Sequence, residues 1–354
     1  MSGPVLIMAG GTGGHIFPGL AVAGELRERN VDVLWLGSAH GMENTLVPQH
    51  ELPLETIAVS GLRGRGWLPL LAAPFRLAGA VWAALRIVRR HRPRSVLSMG
   101  GFAAGPGGVA AWLSRRPLVV HEQNAIPGLT NRLLARFARR VLAGFPQAFP
   151  RGENVGNPVR PSIAALPAPA RRLAGARESC RVLVLGGSQG ARSLNQTVPR
   201  ALEKLANPNI KVRHQCGRAA EAETRQAYAA LADSARVESF IADMAEAYGW
   251  ADLVICRAGA LTVAELAAAG VASVLVPFPH AVDDHQTHNA RFLADAGAAV
   301  LMPENELTAA ALAEQLAGLA SQRERLLEMA QRARSLARTD ATRRVADVCL
   351  EVGA

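Results

Sequence analysis

Short runs of consecutive apolar residues alternate with longer stretches of helical periodicity along most of the chain. In the first half these runs fall at residues 5–9, 31–36, 56–59, 95–99, 118–121 and 141–143. In the second half they fall at 181–185, 211–215, 237–240, 253–256 and 273–276. Most are continuous rather than alternating, as strands buried on both faces are. Strands separated by helices predict parallel sheets with helices on both faces. Each half opens alike: Val5-Leu6-Ile7-Met8-Ala9 runs into Gly10-Gly11, and Val182-Leu183-Val184-Leu185 runs into Gly186-Gly187. The predicted fold is therefore α/β, with two tandem doubly wound, Rossmann-like domains facing across a cleft. Between them, Gly156-Asn157-Pro158-Val159-Arg160-Pro161 and a Pro/Ala-rich stretch through Pro169 read as linker. This gives domains at 1–160 and 161–338. A last segment, 339–354, carries a helix over 341–352 that is expected to pack back on the first domain.

Ligands in open α/β sheets sit beyond the carboxyl ends of the strands. Three Gly-rich turns stand at such ends: Gly10-Gly11-Thr12-Gly13-Gly14-His15, the stretch from Gly100 to Gly108, and Gly186-Gly187-Ser188-Gln189-Gly190. Each precedes a helical pattern, whose N-terminal amides and partial positive charge favour phosphate. The first departs from the dinucleotide fingerprint, because Ile16 stands where its third Gly belongs. No acidic residue ends the strand at 31–36, so a dehydrogenase is disfavoured. The third matches the G-x-S-x-G nucleophile elbow, and Ser188 as the nucleophile of a serine hydrolase is the alternative reading. An elbow belongs in mid-sheet, whereas this one opens its domain.

His15 follows the first Gly-rich turn at a strand end, where an imidazole is placed to deprotonate an alcohol. His121-Glu122-Gln123-Asn124 also ends a strand, without the spacing of a zinc-protease helix. His285 and His288, beside Asp283 and Asp284, could form a metal site. A polar loop that hydrogen-bonds a ligand is the favoured reading. Gly259-Ala260-Leu261-Thr262-Val263-Ala264-Glu265 opens a helix after a strand, so its amides can hold phosphate. Glu265, a turn and a half further on, can reach ribose hydroxyls or simply favour the helix dipole. There is no D-x-D pair, so backbone amides are expected to neutralise a leaving diphosphate.

Composition sharpens the picture. Of 354 residues, 49% are hydrophobic and 19% charged, which excludes a disordered chain. The net charge is +10, and all of the excess lies at or before Arg160. A basic first half next to a neutral second half points to an anionic partner for the first. Few aromatics and no recognisable binding module argue against nucleic acid. Only Lys204 and Lys211 are lysines and neither follows Gly, which excludes a Walker A loop. The four cysteines form no C-x-x-C pair, as in a reducing compartment. No signal peptide and no membrane span is predicted. Residues 62–71 are apolar, broken by Pro and Gly and flanked by Arg, which suits a surface dipping into anionic headgroups. The helix that follows is expected to bury Ala78, Val81, Trp82, Leu85 and Val88, with Arg86 and Arg90 opposite.

The segments MAGGTGGHIFPGLAVA, SGLRGRG, GGFAAGPGG, HEQNAIPGLTNR, VGNPVR, LGGSQGARSLNQ, CRAGALTVAELAAAG and DDHQTHNA are spread along the chain from Met8 to Ala290. Together they resemble glycosyltransferase family 28, and within it the transferases that add N-acetylglucosamine to lipid I. The resemblance implies a GT-B architecture, an inverting reaction, UDP-GlcNAc as donor and lipid I as acceptor. By motif position, Thr12, Gly13, Gly14, Asn124, Arg160, Ser188, Ile241, Ala260, Leu261, Thr262, Val263, Ala264, Glu265 and Gln286 match the family's contacts to UDP-GlcNAc. Ile241 would meet uracil through its backbone, Glu265 the ribose and Gln286 the sugar hydroxyls. His15 would be the base. The resemblance further implies no metal or other cofactor, a peripheral place on the cytoplasmic face of the inner membrane, contact with anionic phospholipid, and other cell-wall synthesis proteins as partners. The carboxy domain would take the donor and the amino domain the acceptor and the membrane.

Overall fold

A computed structural model describes residues 3–59, 73–174, 179–187 and 190–354. It divides into two compact units, Met1–Val159 with Arg338–Ala354, and Arg160–Ala337.

The amino unit runs β1 (Val5–Ala9), α1 (Gly13–Glu28), β2 (Val33–Ser38), α2 (Glu43–Gln49), β3 (Leu54–Ile57), α3 (Ala73–His91), β4 (Ser95–Gly100), α4 (Ala104–Leu113), β5 (Leu118–Glu122), α5 (Leu129–Leu134), β6 (Arg140–Ala143) and β7 (Glu153–Asn154). All seven strands are parallel, in the order β3-β2-β1-β4-β5-β6-β7. The continuous apolar run of β1 has a direct cause. Val5, Ile7 and Ala9 enter one core cluster and Leu6 and Met8 the other, on opposite faces of the sheet. All five are fully buried.

The carboxy unit runs α6 (Pro161–Ala164), α7 (Pro169–Arg172), β8 (Cys180–Leu185), α8 (Arg192–Leu205), β9 (Ile210–Gln215), α9 (Glu221–Ala227), β10 (Ala235–Glu238), α10 (Met244–Trp250), β11 (Leu253–Cys256), α11 (Ala260–Ala269), β12 (Ala272–Leu275), α12 (His285–Ala294), β13 (Ala299–Leu301), α13 (Ala309–Ala320) and α14 (Arg323–Ser335). Its six parallel strands are ordered β10-β9-β8-β11-β12-β13. The last helix, α15 (Ala341–Val352), belongs to the amino unit. Val345, Ala346, Val348 and Cys349 join the core cluster around β1 and α1, and Arg29 bonds Asp347 at 2.5 Å.

The structure corrects several expectations. The stretch read as linker contains α6, and α7 starts at its last residue, Pro169; each helix opens on a Pro at its first turn, where the missing N–H costs nothing. The strand expected at 237–240 is β10 and ends at Glu238, and Phe240 is 61% exposed. Two strands were not expected: β7 is only Glu153-Asn154 and has no apolar residue, and β13 is the three-residue apolar run Ala299-Val300-Leu301. On α3 the buried face is Ala80, Ala84 and Val88, while Trp82 is 60% exposed and Ala78 also faces outward. Small residues on that stripe let the helix lie close to the sheet and α4, and the Trp is left outside. Residues 62–71, Ser188 and Gln189 lie outside the described residues.

Candidate active site

In each sheet the connections reverse direction beside the first strand, between β1 and β4 in the amino unit and between β8 and β11 in the carboxy unit. Such switch points open a crevice at the carboxyl ends of the strands. The Gly-rich turns after β1 and β4, Gly186, Gly187 and Gly190 after β8, and the Arg257–Gly259 loop stand there.

In the amino unit the turns after β1 and β4 pack backbone to backbone. A Cβ on Gly101 would lie 2.4 Å from the Gly10 carbonyl oxygen, so only Gly fits there, at φ +92°. The fully buried Trp35 donates its indole N–H to the Ala9 carbonyl at 2.9 Å and fixes the end of β1. Glu43, also fully buried, accepts from the Gly11 N–H at 3.1 Å, the Ser38 N–H at 2.8 Å and the Ser38 hydroxyl at 2.7 Å. Burial alone would push this carboxyl up, but the three donors outweigh it and hold the group below the usual carboxylate range. A Cβ on Gly10, Gly37 or Gly41 would collide with it. Glu43 thus ties the β1 and β2 turns together, a role nothing in its sequence position advertises.

Thr12 is the N-cap residue of α1, with no side-chain cap on the helix and no acidic residue in its first turn. Thr12 and Gly14 are exposed, with Gly13 and His15 half-buried. The His15 Nδ1 lies 2.8 Å from the Gln123 Oε1. Glu122 accepts from Asn124 N at 2.9 Å, Asn124 Nδ2 at 3.1 Å, Gly128 N at 3.1 Å and Asn131 Nδ2 at 3.0 Å. The structure thus brings Thr12, Gly13, Gly14, His15 and Asn124 to one end of one sheet.

In the carboxy unit α11 begins at Ala260 behind Gly259, again without a side-chain cap or an acidic first turn. Its N-terminal amides are open to an anion. Glu265 is 5% exposed, and its Oε1 accepts from Arg160 Nη2 at 2.7 Å and Nε at 3.2 Å. Its Oε2 accepts from the buried Tyr248 hydroxyl at 3.1 Å. Burial pushes the Glu265 carboxyl above its ordinary value, against the pull of Arg160 and Tyr248. Arg160 and Glu265, 105 positions apart in sequence, are therefore direct partners. Gln286 Oε1 accepts from the Phe278 N–H at 2.9 Å, which fixes the orientation of its amide. Ile241 is buried just past β10. Leu261, Thr262 and Ala264 are half-buried on α11, and Val263 is buried. Behind the third Gly-rich turn, Gln215 accepts from Gly187 N and donates to Gly187 O, each at 3.0 Å. Arg257 donates to the Val276 and Pro277 carbonyls and pairs with Glu304. Gln215, Tyr248 and Arg257 escape a sequence reading because they hold the site from behind.

His285 spends its Nδ1 on the Val282 carbonyl, at 2.7 Å. Among the described residues no three His, Cys, Asp or Glu side chains are grouped to hold a metal ion. All four cysteines are buried and free. Burial pushes the Cys180, Cys256 and Cys349 thiols up to about 12, which removes them as nucleophiles.

Two doubly wound sheets with uncapped helix starts behind Gly-rich turns define a class of α/β protein built to bind phosphorylated ligands. Comparison with known proteins narrows this. The profile of the glycosyltransferase family 28 N-terminal domain matches residues 5–143, and that of the family's C-terminal domain matches residues 181–345. The chain is 60% identical over 351 residues to a protein of Xanthomonas euvesicatoria pv. vesicatoria, covering 99% of this chain and 81% of that one. It is 58% identical over 350 residues to one of Xylella fastidiosa, covering 98% and 96%. Both relatives are named UDP-N-acetylglucosamine–N-acetylmuramyl-(pentapeptide) pyrophosphoryl-undecaprenol N-acetylglucosamine transferase. The crystal structure of Acinetobacter baumannii MurG superposes with a TM-score of 0.88 at 42% identity, over 99% of both chains. A glycosyltransferase of kitacinnamycin, at 18% identity and a TM-score of 0.72, shares the fold. The chain belongs to glycosyltransferase family 28 and is a glycosyltransferase. None of these findings supports the serine hydrolase alternative.

Proposed function

We propose that this chain transfers N-acetylglucosamine from UDP-GlcNAc to the 4-hydroxyl of the muramyl sugar of lipid I, making lipid II for peptidoglycan. The observation that carries the reading is 60% identity to a named transferase over 99% of this chain, in a chain whose two sheets each have a Gly-rich turn after the first strand. The carboxy unit takes the donor. The uncapped start of α11, from Ala260, takes the diphosphate, a role that motif position also assigns to Ser188. Glu265, positioned by Arg160 and Tyr248, takes the ribose, the Ile241 backbone the uracil and Gln286 the sugar. The amino unit takes the acceptor, and Thr12, Gly13, Gly14 and Asn124 add contacts to the donor.

His15 acts as the base. It accepts the proton of the muramyl 4-hydroxyl as that oxygen attacks the anomeric carbon. The bond from the anomeric carbon to the β-phosphate oxygen breaks, UDP leaves with the electron pair, and the configuration inverts. Amides and guanidinium groups, rather than a bound metal, meet the developing charge.

The amino unit also supports a membrane-surface reading. Phe75, Leu77 and Trp82 on α3, Trp112 and Leu113 on α4, and Leu129 and Leu133 on α5 are all exposed. These three helices are neighbours on one face of the sheet. Arg86 lies 3.9 Å over the Trp82 ring, and the Trp112 and Phe137 rings pack tilted with centroids 5.9 Å apart. Apolar side chains set among arginines suit anionic headgroups. No described helix is long and apolar enough to cross a membrane. We place the protein peripherally on the cytoplasmic face of the inner membrane, beside other cell-wall synthesis proteins.

The test is incubation with labelled UDP-GlcNAc and a short-chain lipid I analogue, with and without EDTA. A β-1,4-linked disaccharide product in both arms supports the reading. Label released only as free sugar refutes transfer, and loss of product in EDTA refutes the metal-free account.

A further inference from the structure

Behind His15 lies a chain of hydrogen bonds with one consistent set of donors. His121, fully buried, points its Nε2 at the Gly156 carbonyl oxygen, 2.9 Å away. A carbonyl only accepts, so that nitrogen carries the proton. Burial lowers the affinity of His121 for a second proton, which leaves its Nδ1 as an acceptor. The Gln123 Nε2 stands 3.0 Å from that Nδ1 and 3.1 Å from the His121 carbonyl oxygen. Both neighbours accept, so the Gln123 amide is fixed with its NH2 towards His121. The reversed amide would set Oε1 against a carbonyl oxygen. Gln123 is itself 1% exposed, and its main-chain carbonyl accepts from Asn157 Nδ2 at 2.9 Å.

With the amide so fixed, Oε1 is what His15 Nδ1 meets, at 2.8 Å. That nitrogen must donate, so in the neutral ring the lone pair resides on Nε2. The far end of the chain is anchored too. Gly156 has φ +83°, and a Cβ there would lie 2.3 Å from the Arg338 Cβ, so its carbonyl is aimed by a backbone that only Gly supplies.

We propose that Gln123 is a positioning residue that sets the tautomer of His15, with the proton on Nδ1 and Nε2 open to receive one. The inference rests on the reading of His15 as base. With the opposite tautomer, Nε2 would already hold a proton and could accept none.

The test is long-range 1H–15N correlation on protein labelled with 15N-histidine, together with steady-state kinetics. Wild-type His15 is expected to show Nδ1 protonated and Nε2 bare. Gln123→Met keeps the length and removes both the acceptor and the donor. It should convert His15 to a mixed pattern and lower kcat ~10-fold or more, with both KM values within ~2-fold. Gln123→Glu offers an acceptor oxygen to Nδ1 in either protonation state and should restore the wild-type pattern. A protonated Nε2 in wild-type His15 overturns the proposal, as does a His15 pattern unchanged in Gln123→Met. If Gln123→Met does not fold, the wild-type spectrum decides. The spectrum needs no turnover, so absence of transfer in the wild type counts against the proposed function, and a wrong tautomer counts against the role of Gln123.

Discussion

Glu43 and Glu265 are both buried carboxylates, and their surroundings send them in opposite directions. Three donors hold Glu43 ionised despite burial. At Glu265 burial prevails over Arg160 and Tyr248. On the proposed reading, in which Glu265 takes the ribose, Glu265→Ala should weaken UDP-GlcNAc binding, measured by calorimetry, and it also removes the anchor of Arg160. His15→Ala should instead lower kcat by ~10²–10⁴-fold with donor affinity little changed. Turnover at the wild-type rate would remove His15 from the chemistry. His15 and Glu265 were legible because each sits at a fixed offset from a Gly-rich turn or a helix start. Glu43 and Gln123 were not, because their partners Gly11 and His15 stand 32 and 108 positions away. Hydrogen bonds made through the fold leave no local pattern.

At the scale of elements, the strands were easier to read than the helix faces. A strand buried on both sides needs an uninterrupted apolar run, and β1 and β11 occupy the residues the pattern marks. On α3 the periodicity suggests a stripe through Trp82 and Val88, yet Ala80, Ala84 and Val88 are the buried residues and Trp82 is left exposed. The polar core of the carboxy unit carries a pH prediction. His214 on β9 is buried between Tyr228 Oη at 2.9 Å and Asn195 Oδ1 at 3.0 Å. Burial pushes its imidazole down to about 3. The folded value lies below that of an unfolded imidazole, so its contribution is complete above about pH 6.5 and is lost as pH falls from there towards 3. The slope is about 1.4 kcal/mol per pH unit. Urea unfolding followed against pH should show this acid-side loss, and His214→Gln should flatten it.

For the whole molecule, the doubled opening of strand, Gly-rich turn and helix was visible in the sequence, and with it the two-sheet class. The return of α15 to the amino unit is a different matter. A helix packing back on the first domain was expected, but periodicity does not name the surface it covers. Val345 is fully buried in the core around β1, so Val345→Asp should unfold the amino unit preferentially, seen as accelerated proteolysis within residues 1–159. The charge of the molecule divides in the same way, and binding to anionic vesicles should weaken as salt is raised. Salt-insensitive binding would reject the electrostatic part of the membrane account. The division of labour between the two units is what the proposed reaction depends on most, and a crystal of the protein grown with UDP-GlcNAc tests it most directly. The account predicts uridine against Ile241 and Glu265, with the diphosphate at the start of α11. Uridine held by the amino unit, or by neither unit, would contradict it.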